Sequence, residues 1–406
     1  MIDEDRDLLV RLLRLPTAGP LETTDDVLLW DAMRLYADAA AELGLDTRYL
    51  ASPDPSVLDL PGVPAAIRDF GPEFLSCQPS LVLGIGPASP AVMFNVHLDT
   101  VAPFESAAFD GSRFTGRGAI DAKGPAVALL AGVRAAIAAD PAVGRDAGVL
   151  IQAVSGEEGG AMGTFGTRPL VEAGFHGELN IFCEPTGLRY LPRCSASMTA
   201  CVRVDGDDAI DDEPHQGHNA TVLLGFLAQH LARELAPHGR ICVAGLHTGH
   251  MHNRVYGQGE LLLNLPYDRE ESATEMAAAL EDGLRTGIAG FSSLFRDSPP
   301  FRRTSADAAT ITGLHWRKRG LPALPPQYIP LLKELVPRWP DHETGFTCDA
   351  IWLAGVPGTR TAVLGPGSLG ANNAHSRGEY ADAEELDRFS DLVRDIVVRF
   401  SRTGGK

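Results

Sequence analysis

The sequence predicts an α/β protein in which one layered domain is interrupted by a smaller α+β module. Three observations lead there. Three short apolar runs, Val92 to Val96, Val149 to Val154 and Leu179 to Phe182, have the look of buried parallel strands. The stretch Pro125 to Ile137, between the first two runs, is alanine-rich with proline in its first turn, as a helix linking parallel strands would be. From about Arg193 this alternation gives way to strand, helix, strand, strand, helix, and it resumes only near the C-terminal end.

The elements follow in order. Leu8, Leu9, Leu12 and Leu13 are spaced for an amphipathic helix over Asp5 to Leu15, stopped at Pro16. A second helix is predicted for Thr23 to Leu43, with Gly44 ending it. After the three strands, the inserted module would hold strands Met198 to Val204, Ile241 to Ala244 and Glu260 to Leu265, and helices Asn219 to Glu234 and Ala273 to Arg285. Pro299-Pro300 and the later prolines 322, 325, 326 and 330 predict irregular connection. The α/β pattern returns at Asp349 to Leu353 and the strand Thr361 to Leu364, and closes with the helix Ala383 to Phe400. The expected organisation is therefore 1–192 and 305–406 as the catalytic domain, with 193–304 inserted.

A chain of 406 residues exceeds one ordinary core, which agrees with two domains. The formal charge of −18 argues against nucleic acid and anionic membrane as partners. No run approaches the about 18 apolar residues a membrane span requires. The acidic start Met1-Ile2-Asp3-Glu4-Asp5 is unlike a secretory signal. Six scattered cysteines with no C-x-x-C pair read as reduced thiols, so a cytoplasmic protein is expected.

The chemistry-bearing residues sit where the predicted strands end, which is where open α/β sheets build sites. The first strand runs into His97-Leu98-Asp99, the second into Ser155-Gly156-Glu157-Glu158-Gly159-Gly160, the third into Glu184-Pro185. A glycine-rich loop, Gly116 to Gly124, delivers Asp121 just before the alanine-rich helix, and Ala374-His375-Ser376 follows the turn Gly365-Pro366-Gly367. Hydrolytic zinc takes histidine nitrogen and carboxylate oxygen and keeps a position open for water. A carboxylate shared by two ions holds them close enough to clamp both water and carbonyl oxygen. His97, Asp121, Glu158, Glu184 and His375 supply such ligands. Glu157 is the spare carboxylate for general-base work, and Asp99 can orient the His97 imidazole. Each piece alone is weak: a lone H-x-D is usually structural, and a Glu-Glu pair is usually solvated surface. All five ligands in order, each at a strand end or glycine loop, carry the weight.

These motifs, from Leu12-Leu13-Arg14-Leu15-Pro16-Thr17 to Ala374-His375-Ser376-Arg377-Gly378-Glu379-Tyr380, resemble a known family over nearly the whole chain. It is the zinc metallopeptidase and amidohydrolase family of aminoacylases, acetylornithine deacetylases, succinyl-diaminopimelate desuccinylases and glutamate carboxypeptidases. The resemblance implies a zinc-peptidase-like α/β/α catalytic domain with an inserted α+β lid that closes over substrate and often dimerises. It implies two zinc ions per chain, a position that cobalt or manganese can also take. One ion would be held by His97, Asp121 and Glu184, and the other by Asp121, Glu158 and His375. Glu157 would be the general base and the peptide after Asp121 would be cis. The activity implied is hydrolysis of the amide bond of an N-acylated amino acid, small peptide or carrier-linked amino acid.

The module matches the family less well. Relatives carry a histidine four residues before the proline that aligns with Pro214, and here that position is Ile210. A late lid arginine that grips the substrate carboxylate aligns with Pro266, whereas its usual partner, Asn253, is kept. Two readings stay open. Either His215, His218 or one of His247, His250 and His252 replaces the histidine and Arg254, Arg302 or Arg303 the arginine, or the same metal pair serves a specialised biosynthetic step, such as another acyl transfer or a cyclisation. A metal-bound but inert binding protein is the third class, and Glu157 argues against it.

Overall fold

The computed structural model describes residues 1–403 and divides into two compact units, Met1–Cys194 with the segment from Leu324 on, and Ser195–Ala323. In the first unit a six-stranded sheet runs in the order Asp46–Ala51, Ser80–Ile85, Gly148–Val154, Ala91–His97, Leu179–Phe182, Arg360–Val363. The last four of these strands are mutually parallel and the first two join antiparallel. Every residue of Ala91–His97, Gly148–Val154 and Leu179–Phe182 is buried, which is why these strands read as unbroken apolar runs rather than alternating ones.

The helix Lys123–Ala139 covers the sheet and packs along the terminal helix Ala383–Thr403. Gly132 permits that approach, since a Cβ there would stand 2.6 Å from the Ser390 carbonyl oxygen. Phe389, Val393, Ile396 and Phe400 of the terminal helix lie fully or almost fully buried in the same core as Leu129 and Val133. The N-terminal helix Asp3–Leu13 joins this layer, and the following loop is tied down by Lys123, whose buried Nζ donates to the Leu15 carbonyl at 2.9 Å.

Some elements differ from expectation. The second helix begins at Leu29, not Thr23, because Thr23 Oγ1 accepts from the Asp25 N–H and the Leu28 N–H bonds to the Pro16 carbonyl. Such local bonds compete with a helical turn. Asp349–Leu353 is a single 3-10 turn. The stretch after Pro299-Pro300 is regular: a helix Arg302–Ile311 runs into a strand Thr312–Lys318. The prolines fall in a short 3-10 turn, Pro299–Phe301, ahead of that helix, so they break nothing inside it.

That last strand decides the composition of the second unit. It pairs antiparallel with Ala196–Asp205 and completes a four-stranded sheet ordered Cys242–His247, Gln258–Tyr267, Ala196–Asp205, Thr312–Lys318. Residues 305–323 therefore belong with the second unit rather than with the catalytic domain. Leu261, Leu263 and Leu265 alternate inward along Gln258–Tyr267 and meet helices Ala220–Leu235 and Glu270–Phe295. Asn219 caps the first of these, its side chain accepting the Val222 N–H at 2.9 Å. Where the chain leaves and re-enters the first unit, Cys194 and Leu324 exchange both backbone hydrogen bonds, at 3.1 and 3.0 Å. Among the described residues no helix is long and apolar enough to cross a membrane.

Candidate metal centre

From Ala91–His97 the chain goes to the neighbour on one side, Gly148–Val154, and then crosses to the neighbour on the other, Leu179–Phe182. At such a reversal open α/β sheets build their sites, outside the carboxyl ends of the strands. His97 lies at the end of the middle strand, in register with Val154, and Asn95 is in register with Phe182. The loops carrying Glu157, Glu158 and Glu184 thus leave the sheet beside His97. Gly156 makes the turn after Val154 at a φ of 80°, where a Cβ would meet the Phe165 ring at 2.2 Å.

Asp121 occupies the centre. Its Oδ1 is 2.8 Å from His97 Nε2, and its Oδ2 is 3.2 Å from His375 Nε2. Glu158 Oε1 lies 3.0 Å from His375 Nε2, and Glu184 Oε2 lies 3.9 Å from His97 Nε2. The ligand atoms of His97, Asp121 and Glu158 all fall within 4.8 Å of one another, and all three residues are buried. The peptide Asp121-Ala122 is cis, and His375 is half-exposed with a φ of 61°. The structure thus brings together all five residues singled out as ligands.

Asp99 orients His97 by another route than expected. The nearer partner of His97 Nδ1 is the Asp99 main-chain carbonyl at 2.9 Å, while the carboxylate Oδ1 stands 3.7 Å away. With Nδ1–H donated to that carbonyl, Nε2 is the nitrogen left to meet Asp121, and it is the one that could ligate a metal ion. The Asp99 carboxylate instead holds the next loop: its Oδ2 accepts the N–H groups of Gly156 and Glu158, both at 3.0 Å.

Buried acidic groups crowd one another here. Burial, with Asp121, Asp349 and Glu158 nearby, pushes Glu184 up to about 8. Burial and the neighbouring Glu158 and Glu184 hold Glu157 well above the usual carboxylate range, and burial raises Glu158 too. His375, facing Asp121 and Glu158, is pushed up to about 10, and the contacts of Asp121 with His375 and His97 keep its carboxyl low despite its burial. Divalent cations between these groups would relieve the repulsion. Two ligands on a tetrahedral ion at about 2.1 Å lie about 3.4 Å apart, close to the spacings seen here. The imidazole and carboxylate donors therefore fit divalent metal, with His97, Asp121 and Glu184 on one side and Asp121, Glu158 and His375 on the other. Glu157, partly buried, has no side-chain hydrogen bond or ion pair among the described residues, so it is left as a free carboxylate.

A buried carboxylate escaped the sequence reading. Asp349 lies behind the cluster, accepts the Thr167 hydroxyl at 2.5 Å and is pushed up to about 7, burial being the main cause. Nothing in the local sequence Thr347-Cys348-Asp349 distinguishes it.

The sequence profile of peptidase family M20/M25/M40 matches residues 93–399. The chain belongs to peptidase family M20. Members of M20 are metallopeptidases and amidohydrolases. This M20 chain is 30% identical over 240 residues to a succinyl-diaminopimelate desuccinylase of Gluconobacter oxydans, an alignment covering 53% of the chain and 61% of the relative. The chain thus spans less than two thirds of that relative's length. It is 29% identical over 284 residues to a LysW-lysine/LysW-ornithine hydrolase of Aeropyrum pernix, covering 68% of the chain and 76% of the relative. Its fold is shared with an M20 family metallo-carboxypeptidase from Sulfolobus solfataricus, at a TM-score of 0.70 and 12% identity, over 99% and 100% of the two chains.

The substrate-binding candidates of this M20 chain all lie in the second unit, and the structure separates them. His218 is buried and fully engaged: Nδ1 accepts the Asp207 N–H at 2.8 Å, and Nε2 is 3.1 Å from Asp307 Oδ2. It is a satisfied structural histidine, which its place one residue before the Asn219 cap did not reveal. Ile210 is 59% exposed and lies directly across a two-strand ribbon from Arg254. Arg254 pairs with Asp208 at 2.5 Å and lies over the Tyr256 ring. His215 and Asn253 are exposed. Arg303 is committed to Asp207 and the Gln216 carbonyl. Pro266 sits within the strand Gln258–Tyr267, opposite Ser197.

Proposed function

We propose that this chain hydrolyses the amide bond of an N-acylated amino acid, small peptide or carrier-linked amino acid, using two divalent ions and Glu157 as general base. The observation that carries the reading is the split of Asp121 between two histidines, one on each carboxylate oxygen, with Glu184 and Glu158 on either side. Bound there, divalent ions, zinc foremost, would polarise the scissile carbonyl and lower the pKa of the attacking water. Glu157 takes the proton from that water and delivers it to the amine nitrogen as the C–N bond breaks. His97 keeps its tautomer through Asp99, and Asp99 also fixes the loop on which Glu157 sits. The free thiols of Cys77, Cys183, Cys201 and Cys242 support a reducing, cytoplasmic setting.

A second reading, a specialised biosynthetic step at the same site, is favoured by the second unit. Ile210 offers no hydrogen bond where relatives place a histidine, Pro266 offers no guanidinium, and His218 is already consumed. Loss of one donor to a developing oxyanion costs about 100- to 1000-fold in rate, and a free carboxylate would lack its bidentate partner. Acetylornithine, acetylmethionine and simple dipeptides should therefore be poor substrates of the zinc-loaded protein, with efficiency below about 10⁴ M⁻¹s⁻¹. Larger or differently charged acyl-amino acids, carrier-linked ones included, should be better. Steady-state kinetics with product identification by mass spectrometry decides: efficient turnover of any of the three simple classes removes the second reading, and no hydrolysis of any amide in the panel removes the first.

We further propose a homodimer through the second unit. Cys242–His247 is an edge strand with exposed Val243 and Leu246, a surface that invites pairing with a second copy. Sedimentation equilibrium should give twice the chain mass for the wild type and the monomer mass for Leu246→Lys. A monomeric wild type at micromolar concentration would end this proposal.

A further inference from the structure

The buried pair of Arg117 and Glu379 lies outside the ligand set, yet it touches both elements that carry ligands to the shared side of the centre. Arg117 and Glu379 are 2% and 1% exposed, and Arg117 Nη1 donates to Glu379 Oε2 at 2.8 Å. Glu379 Oε1 accepts the N–H of Ile120 at 3.1 Å and that of Asp121 itself at 3.2 Å. The Glu379 main-chain carbonyl accepts the Gly116 N–H at 3.0 Å. Glu379 thus clasps the Gly116 to Asp121 loop at both ends.

Glu379 is also four residues past His375, at the close of the loop that carries it. That loop is pinned beside Glu379, where Asn372 donates to the Tyr380 carbonyl at 3.0 Å and the Tyr380 N–H bonds to the Asn372 carbonyl at 3.1 Å. Arg117 in turn reaches back to the Pro103 carbonyl at 3.2 Å, and Glu105 in the same segment accepts the Gly378 N–H. Glu379 is the residue whose side chain grips the Asp121 backbone while its own main chain continues the His375 loop.

We infer that Glu379, held by Arg117, is a positioning residue that sets the distance between Asp121 and His375 and so the fit of both ions. The inference rests on the two-ion reading. Removing a group that orients a ligand typically costs about 10- to 100-fold in metal affinity. Glu379→Gln keeps the shape but loses the charge that fixes it on Arg117. The measurement is chelator competition for zinc, giving both dissociation constants on protein shown to be folded by circular dichroism.

Both constants should rise about 10- to 100-fold in Glu379→Gln, while Asp5→Asn, which breaks the Asp5–Arg134 pair elsewhere in the same unit, should leave them unchanged. A purely structural role for Glu379 would lower the melting temperature and leave the constants of the folded protein alone, and that result overturns the inference. If Glu379→Gln does not fold, Glu379→Asp takes its place. It keeps the charge but is too short to span guanidinium and backbone together, and wild-type zinc affinity in it would equally refute the role. A wild-type protein binding fewer than two ions would instead refute the two-ion reading.

Discussion

Asp121→Ala should strip the protein of both metal ions. Each oxygen of this carboxylate faces a different histidine, at 2.8 and 3.2 Å, so one substitution removes a ligand from two ions at once. It also removes the negative charge that would lie between two dications, without which they repel each other across the site. Metal analysis after dialysis is expected to give close to two equivalents of zinc, cobalt or manganese for the wild type and close to none for Asp121→Ala. His375→Ala, which spares the His97 side, should retain about one. Because ions bound to the folded state alone raise its stability, a chelator should lower the melting temperature of the wild type and leave that of Asp121→Ala unchanged. Two tightly held ions in Asp121→Ala would end the assignment of this residue as the bridge.

Glu157→Gln is expected to cut turnover by at least about 100-fold, the lower end of what a positioned general base contributes. The amide fills the same space but has no lone pair basic enough to accept the water's proton. Metal content should stay at the wild-type value, because Glu157 is not among the groups that meet His97 or His375 at ligand distance. Folding should not suffer, since among the described residues the carboxylate has no hydrogen-bond partner to lose and is crowded by Glu158 and Glu184. The combination separates base from ligand: lost activity with lost metal would recast Glu157 as a ligand. Near-normal activity on a substrate the wild type hydrolyses would show that another group takes the proton.

Much of the centre was legible in the chain because of where its residues fall. A strand buried on both faces cannot hide a histidine or carboxylate without a use for it, so His97 and Glu184 at the ends of apolar runs stood out. Glu157 and Glu158 stood out because glycines on both sides forbid an ordinary helical surface. The second unit was harder. His215 and His218 look alike in sequence, yet one is exposed and the other is bound to Asp207 and Asp307. The strand Thr312–Lys318 went unread because its pairing with Ala196–Asp205 lies more than a hundred residues away, and two nearby prolines suggested a break.

What the sequence determined by itself is the alternation of buried parallel strands with helices in the first unit, the family, and five candidate ligands that the fold brings together. The elements and the candidate ligands follow from local rules: apolar periodicity, turn residues, and the few residue types able to ligate a divalent ion; the family follows from the resemblance of the motifs. What only the tertiary structure decided is the use of each polar group. It made Asp99 a loop clamp, with its carbonyl rather than its carboxylate on His97. It put Asp349 beneath the centre through Thr167, 182 residues away, and joined Arg117 to Glu379 across 262 residues. The reason is physical. Burial of an apolar side chain depends on the pattern of its near neighbours, but a buried carboxylate takes whichever donor the finished fold brings within 3 Å, and the sequence around it carries no record of that donor.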